Sequence, residues 1–150
     1  MKTKTEKNKT NKKTKDSTEK DGNNWFLFDA KNEILGRLAV KISKILQGKH
    51  KSDFVPYRDM ADHVVVINAE RVQVTGKKEK QKTYTFYSGY PGGLKMVKLG
   101  QMRAKNPEFL LKHAVVGMLP KNRLAAERLK KLHIFVGKEH PYADKQFVNS

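Results

Sequence analysis

His63-Val64-Val65-Val66-Ile67 is the stretch on which the fold turns. A strand with one wet face alternates polar and apolar side chains. This one does not: Val64 and Val66 point to one side, Val65 and Ile67 to the other, and all four are apolar. Such a run belongs at the centre of a parallel sheet that is covered on both faces. Working outward, Trp25-Phe26-Leu27-Phe28, ending at Asp29, reads as a second buried strand. Between the two, Leu35, Leu38, Ala39, Ile42, Ile45 and Leu46 recur at three- and four-residue spacing, which predicts an amphipathic helix. Asn32 is placed to cap its start and Gly48 to end it.

Downstream of the central run, Asn68 to Arg71 predicts a turn and Val72-Gln73-Val74 a short strand. Lys82 to Ser88 suits a strand or ribbon, and Leu99 to Ala104 a weak helix. Asn106-Pro107 opens a helix running to Met118, with Phe109, Leu110, Ala114, Val115 and Met118 as its apolar side and Pro120 as its stop. Leu124 to Lys131 reads as a short basic helix, and Leu132 to Val136 as the last strand. Strands alternating with helices indicate an α/β fold on a largely parallel sheet.

The chain has 150 residues, enough for one domain with a substantial core. Residues 1–24 contain eight lysines, four acids and no apolar residue beyond Met1. They are expected to form a disordered basic tail ahead of a single domain over residues 25–150. Lys and Arg number 32 against 15 Asp and Glu, a formal charge of +17. Self-repulsion of that size calls for a polyanionic partner, with nucleic acid ahead of an anionic membrane surface. There is no cysteine, hence no disulfide frame, thiolate metal site or thiol nucleophile. No apolar run approaches membrane-spanning length, and the N-terminus shows neither a signal core nor an Arg-rich, acid-poor transit pattern.

Two basic stretches stand out. From Arg37 to Lys51 the cations Arg37, Lys41, Lys44, Lys49 and Lys51, with His50, meet no acid. Phosphate contact and a solvated helix face both fit, and the unrelieved charge favours phosphate. From Thr75 to Lys95, Lys77, Lys78, Lys80, Lys82 and Lys95 face only Glu79. Tyr84, Phe86, Tyr87 and Tyr90 are interleaved, and Ser88 with Gly89, Gly92 and Gly93 brackets Pro91 in a tight turn. Cations, stackable rings and bare backbone suit a polyanion with flat bases, whereas a solvated lysine loop before an ordinary hairpin is the plain alternative. Here the lysines are expected on phosphates, Tyr84, Tyr87 or Tyr90 on a base or ribose, and Gly92 and Gly93 where the backbone nears RNA.

Catalytic signatures are missing. Gly76-Lys77 is no phosphate-binding loop, since Arg71 stands where its earlier glycine belongs and Lys78 where Ser or Thr does. His50, His63, His113, His133 and His140 are scattered, without a pair at metal-ligand spacing. Ser88-Gly89 lacks the preceding Gly-x of a nucleophile elbow. Asp53, Asp59 and Asp62 offer carboxylates for a divalent ion, but capping or pairing with nearby cations is their more ordinary use. The reading is a protein with no enzymatic activity, no cofactor, no metal and no small-molecule substrate.

Several blocks together resemble the bacterial form of the large-ribosomal-subunit protein family "L thirteen". They are Trp25 to Asp29, Leu35 to Ala39, Leu46 to Lys51, Val66 to Glu70, Val74 to Lys78, Ser88 to Lys95, Ala114 to Asn122 and Gly137 to Pro141. They keep the family's order from Trp25 to about Pro141, and it is the set rather than any one block that is specific. The resemblance implies a three-layer α/β/α fold on a four-stranded, mainly parallel sheet with extended basic loops. It implies a structural role in the large subunit of a cytoplasmic ribosome: binding its ribosomal RNA, lying against neighbouring ribosomal proteins, supporting early assembly, and not forming homo-oligomers. Lys77, Lys78 and Tyr90 to Lys95 are implied to touch RNA, and Lys121, Asn122, Arg123 and Arg128 are further candidates. The chain departs from the pattern at Ala61-Asp62, at Leu124-Ala125-Ala126, where one cation is lost, and at Tyr142 and Asp144-Lys145-Gln146. A free-standing regulatory RNA-binding protein is the competing function.

Overall fold

The computed structural model describes residues 24–148; the basic tail expected before the domain lies outside them except for Asn24. The elements in chain order are β1 (Trp25–Asp29), α1 (Leu35–Gln47), β2 (His63–Ile67), a 3-10 turn (Ala69–Arg71), α2 (Lys78–Gln81), β3 (Thr83–Tyr87), β4 (Leu94–Lys98), α3 (Leu99–Lys105), α4 (Pro107–Met118), α5 (Arg123–Lys130), β5 (Leu132–Ile134) and β6 (Phe147–Val148). The fold is α/β, on a four-stranded sheet of order β5-β2-β1-β6 in which every pairing is parallel.

β2 is central because it has a neighbour along each edge and apolar side chains on each face. Val64, Val65 and Val66 are wholly buried. On one face Val64 and Val66 align with Phe26 and Phe28 of β1 and with Leu132 and Ile134 of β5. There they meet the α1 stripe Leu35, Leu38, Ala39, Ile42, Ile45 and Leu46, together with Leu111 and Val115 of α4 and Leu129 of α5. On the other face Val65 aligns with Leu27 and His133, and His63 with Trp25. Trp25 stacks on His63 at 4.3 Å, and Tyr142 closes over His133 at 4.6 Å and Trp25 at 5.0 Å. The layer on this side is thus drawn from the rings of the C-terminal segment, while α1, α4 and α5 all enter the cluster on the first side.

β3 and β4 form a separate antiparallel hairpin. Its inner residue Tyr84 packs with Leu99, Met102 and Leu110 in a second, smaller cluster. α4 lies between the clusters, giving Leu111 and Val115 to one and Leu110 to the other. Its apolar arc is therefore wider than the single stripe expected: Leu111 is buried, and Met118 is exposed.

Other local expectations change. Asn32 does not cap α1; it takes a left-handed turn (φ 62°), and Ile34 precedes the helix with no side-chain cap. Gly48 does end α1 in the left-handed conformation, and Cβ there would lie 2.7 Å from the Met60 carbonyl oxygen. Val72-Gln73-Val74 reaches only one parallel bridge, Gln73 to Ile34, because Asn68 (φ 57°) and the 3-10 turn carry the chain off the sheet. β5 ends at Ile134 instead of Val136, and the two-residue β6 beside Trp25 and Phe26 was too short to show as a pattern.

Candidate nucleic-acid interface

α2, β3, the turn at 88–93 and β4 build one surface. Lys77, Lys78, Lys80 and Lys82 are all exposed on and around α2, a single helical turn. The only acid among them, Glu79, lies 3.1 Å from the Arg103 guanidinium. Arg103 also donates to the carbonyls of Glu70 (3.0 Å) and Val72 (2.6 Å), so it fixes α3 against the turn and engages Glu79. None of the four lysines has a carboxylate partner among the described residues. Arg103 gave no sequence signal, since its partners lie 24 to 33 residues away.

The hairpin has an inner and an outer face. Tyr84 pairs with Val97 across the strands and Phe86 with Lys95, while Thr83, Thr85 and Tyr87 pair with Lys98, Met96 and Leu94. The outer set is open: Tyr87 is 67% exposed, Met96 65% and Leu94 54%. Tyr90 stands out of the turn at 75% exposure, and Ser88 and Lys95 are exposed beside it. The expectation that Tyr84 reaches a base is corrected. It is buried edge-on to Phe109 (5.8 Å) and His113 (5.2 Å), with the Lys82 ammonium 5.1 Å from its ring. Strand alternation turns Tyr84 inward and Tyr87 outward, three residues apart and so on opposite faces. Leu94 falls within the stretch implied to touch RNA, whereas Met96 and Lys98 lie beyond it; their signal was the run Leu94 to Lys98 after the Gly-Gly turn, a second strand for a hairpin.

The glycines serve the turn itself. Gly89 and Gly92 have φ of 88° and 73°, where L side chains are strained. At Gly93 a Cβ would stand 2.1 Å from Ser88 Oγ and 2.9 Å from the Tyr90 carbonyl oxygen, and its N–H donates to that oxygen at 2.9 Å. Close packing inside the turn already accounts for Gly93 without an approaching ligand.

The other basic residues are spent differently. Arg37, Lys41 and Lys44 project from the exposed side of α1, with Lys41 Nζ donating to Glu33 at 2.9 Å. Lys49 is exposed, but Lys51 Nζ donates to Asp62 Oδ1 at 2.7 Å and His50 Nε2 lies 2.7 Å from Asp62 Oδ2. Asp62 is wholly buried and also accepts from the Asn24 N–H at 3.1 Å. Asp59 holds Lys131 at 2.9 Å, with Arg128 Nε at 3.6 Å. Arg128, expected on RNA, is only 2% exposed and belongs to this internal cluster. Lys121 and Arg123 are exposed, whereas the Asn122 side chain accepts from the Ala125 N–H and caps α5. Asp59 and Asp62 thus pair with cations, while Asp53 accepts from the Ser52 hydroxyl at 3.1 Å. Among the described residues no group of three or more His, Asp or Glu converges as a metal cage would require, and no helix is long and apolar enough to cross a membrane.

Burial lowers the pKa of His63, helped by His133 and Lys131 and opposed by Asp62; burial likewise lowers that of His133. The Asn68 side chain lowers that of Asp29. All three groups serve the sheet and not the basic surface.

The sequence profile described as "Ribosomal protein L13" matches residues 23–141. The "Large ribosomal subunit protein uL13" of Roseiflexus sp. is 52% identical over 122 residues, covering 81% of this chain and 84% of the relative. That of Thermus thermophilus is 52% identical over 118 residues, 79% and 84% of the two chains. That of Rubrobacter xylanophilus is 51% identical over 119 residues, 79% and 83%. With the match spanning β1, β2 and β5 of the parallel sheet and the basic hairpin, the chain belongs to the ribosomal protein L13 family.

Proposed function

We infer that this chain is a structural, non-catalytic constituent of the large ribosomal subunit, where it binds ribosomal RNA and supports early assembly. The observation that carries the reading is the surface of 77–98, in a chain of this family: exposed lysines whose one acidic neighbour is bound elsewhere, next to open rings on a rigid hairpin. Lys77, Lys78, Lys80, Lys82, Lys95 and Lys98 meet phosphates, and Tyr87 and Tyr90 stack on bases or ribose. Arg37, Lys44, Lys49, Lys121 and Arg123 extend the positive surface. Residues 25–150 act as one RNA-binding domain and residues 1–24 add charge to it. Neighbouring ribosomal proteins are its protein partners; it works as a single copy, without substrate or cofactor, in the cytoplasmic ribosome.

The test is sedimentation of lysate from the source cells through a sucrose gradient after a high-salt wash. The chain is expected with the large subunit. Recovery near the top of the gradient would instead fit a free-standing RNA regulator and overturn the reading.

A further inference from the structure

A cavity of about 270 Å³ opens beside the lysine stretch, where the start of α1 meets α2 and α4. Ile34, Val74, Leu99 and Met118 give it apolar walls. Lys78, Lys82 and Thr75 stand among its lining, all three exposed. Neither lysine has a carboxylate within ion-pair distance among the described residues, since Glu79 is held by Arg103. Gly36 also lines the opening. It is the second residue of α1, glycine is a poor helix former, and a Cβ there would meet nothing within 4 Å. The chain itself therefore leaves room for a side chain at the rim of the opening.

We propose that this cavity receives one unpaired base of the bound RNA, with Lys78 and Lys82 on the phosphates beside it. An apolar side chain would have no use for the two cations, and a lone phosphate none for the apolar walls. A nucleotide uses both, and the Thr75 hydroxyl offers its base edge a hydrogen-bond partner. Recognition of RNA works largely through such splayed-out bases. The volume holds one base with part of its sugar. The inference rests on the RNA-binding reading and adds to it a nucleotide pocket distinct from the outer face of the hairpin.

The experiment is filter binding of the full chain to large-subunit ribosomal RNA transcripts across a salt series, for the parent, Gly36→Ala and Gly36→Phe. Phenylalanine fills the opening and alanine leaves it. Gly36→Phe is expected to bind about tenfold more weakly with an unchanged salt slope, the loss of one base's burial against the apolar walls. Gly36→Ala should bind like the parent. Thermal melting of each variant checks the fold; if Gly36→Phe does not fold, Met118→Trp, a larger neutral side chain at an exposed wall position, carries the test and the same loss of affinity is expected. If the parent binds and the blocked variant binds equally well, the pocket inference is overturned while the RNA reading stands. If the parent does not bind these transcripts, the RNA reading fails and the pocket falls with it.

Discussion

Two regions of this molecule look alike as sequence and behave in opposite ways. The 49–62 loop with the end of α5 brings together His50, Lys51, Arg128 and Lys131; the 77–98 segment carries Lys77, Lys78, Lys80, Lys82, Lys95 and Lys98. In the first, Asp59 and Asp62 draw the cations inward and much of the charge is offset within the fold. In the second the one acid is turned aside by Arg103 and the cations face water. The same contrast holds for rings: Tyr84 is buried, and Tyr87 on the next turn of the alternation is open. The number of cations in a stretch therefore says little about free charge. What matters is whether a carboxylate from a distant part of the chain is delivered to them.

The comparison can be broken most sharply at Tyr84. Tyr84→Ala should cost about 3–5 kcal/mol of stability by emptying the smaller cluster, read as a lower denaturant midpoint. If stability holds while RNA affinity falls, the inner and outer faces have been assigned the wrong way round. Asp62→Asn comes next. It leaves Lys51 without its counter-charge and His50 without its carboxylate partner, and because both side chains are partly solvated the expected loss is about 2 kcal/mol. A neutral result in chemical denaturation would mean that the inward cluster is no more than a surface ion pair.

On the open side the readout changes from stability to salt dependence. Converting Lys77, Lys78, Lys80 and Lys82 to glutamine should flatten the salt slope of RNA binding by roughly three units, at 0.7–0.9 per phosphate contact. Stability should move by no more than about 0.5 kcal/mol. A parental slope would make the stretch a solvated loop. Tyr87→Ala should leave the melting temperature alone and weaken RNA binding about tenfold; unchanged binding would remove the ring from the interface.

The smallest effect expected concerns His63 and His133 under the C-terminal rings. Their folded-state pKa values are lowered, chiefly by burial, so the folded chain prefers them neutral. The unfolded chain then binds more protons, and stability is fully present above the ordinary histidine range and is lost as pH falls through the lowered folded values. Thermal melts at descending pH should show this, and His63→Phe should diminish it. A parallel pH profile in that variant would exclude His63 as a source.

How much was legible in the sequence follows from range. β2 and the α1 stripe were readable because burial on both faces, or on one, imposes a period that lies within a dozen residues. The family blocks were readable for the same reason, being local strings in a set order. The outer face of the hairpin was half legible: its rings and lysines were evident, but Leu94, Met96 and Lys98 needed the pairing register to place them beside Tyr87, Thr85 and Thr83. Gly93 was legible as part of a tight turn, but the fixed contact that a Cβ there would meet, the Tyr90 backbone carbonyl oxygen at 2.9 Å, comes from the turn's own geometry.

The sequence by itself determined that a parallel sheet forms around Val64–Ile67, that the chain is strongly cationic, and that cations and rings cluster over 77–95. Hydrophobic period and composition are local properties, and they suffice for those conclusions. Only the tertiary structure decided which cations remain free. Lys131 meets Asp59 across 72 residues of chain and Arg103 meets Glu79 across 24, and no local pattern encodes either pairing. Charge at a surface is what remains after such long-range pairings are made, so the interface could be located from the sequence but its members could be chosen only from the fold.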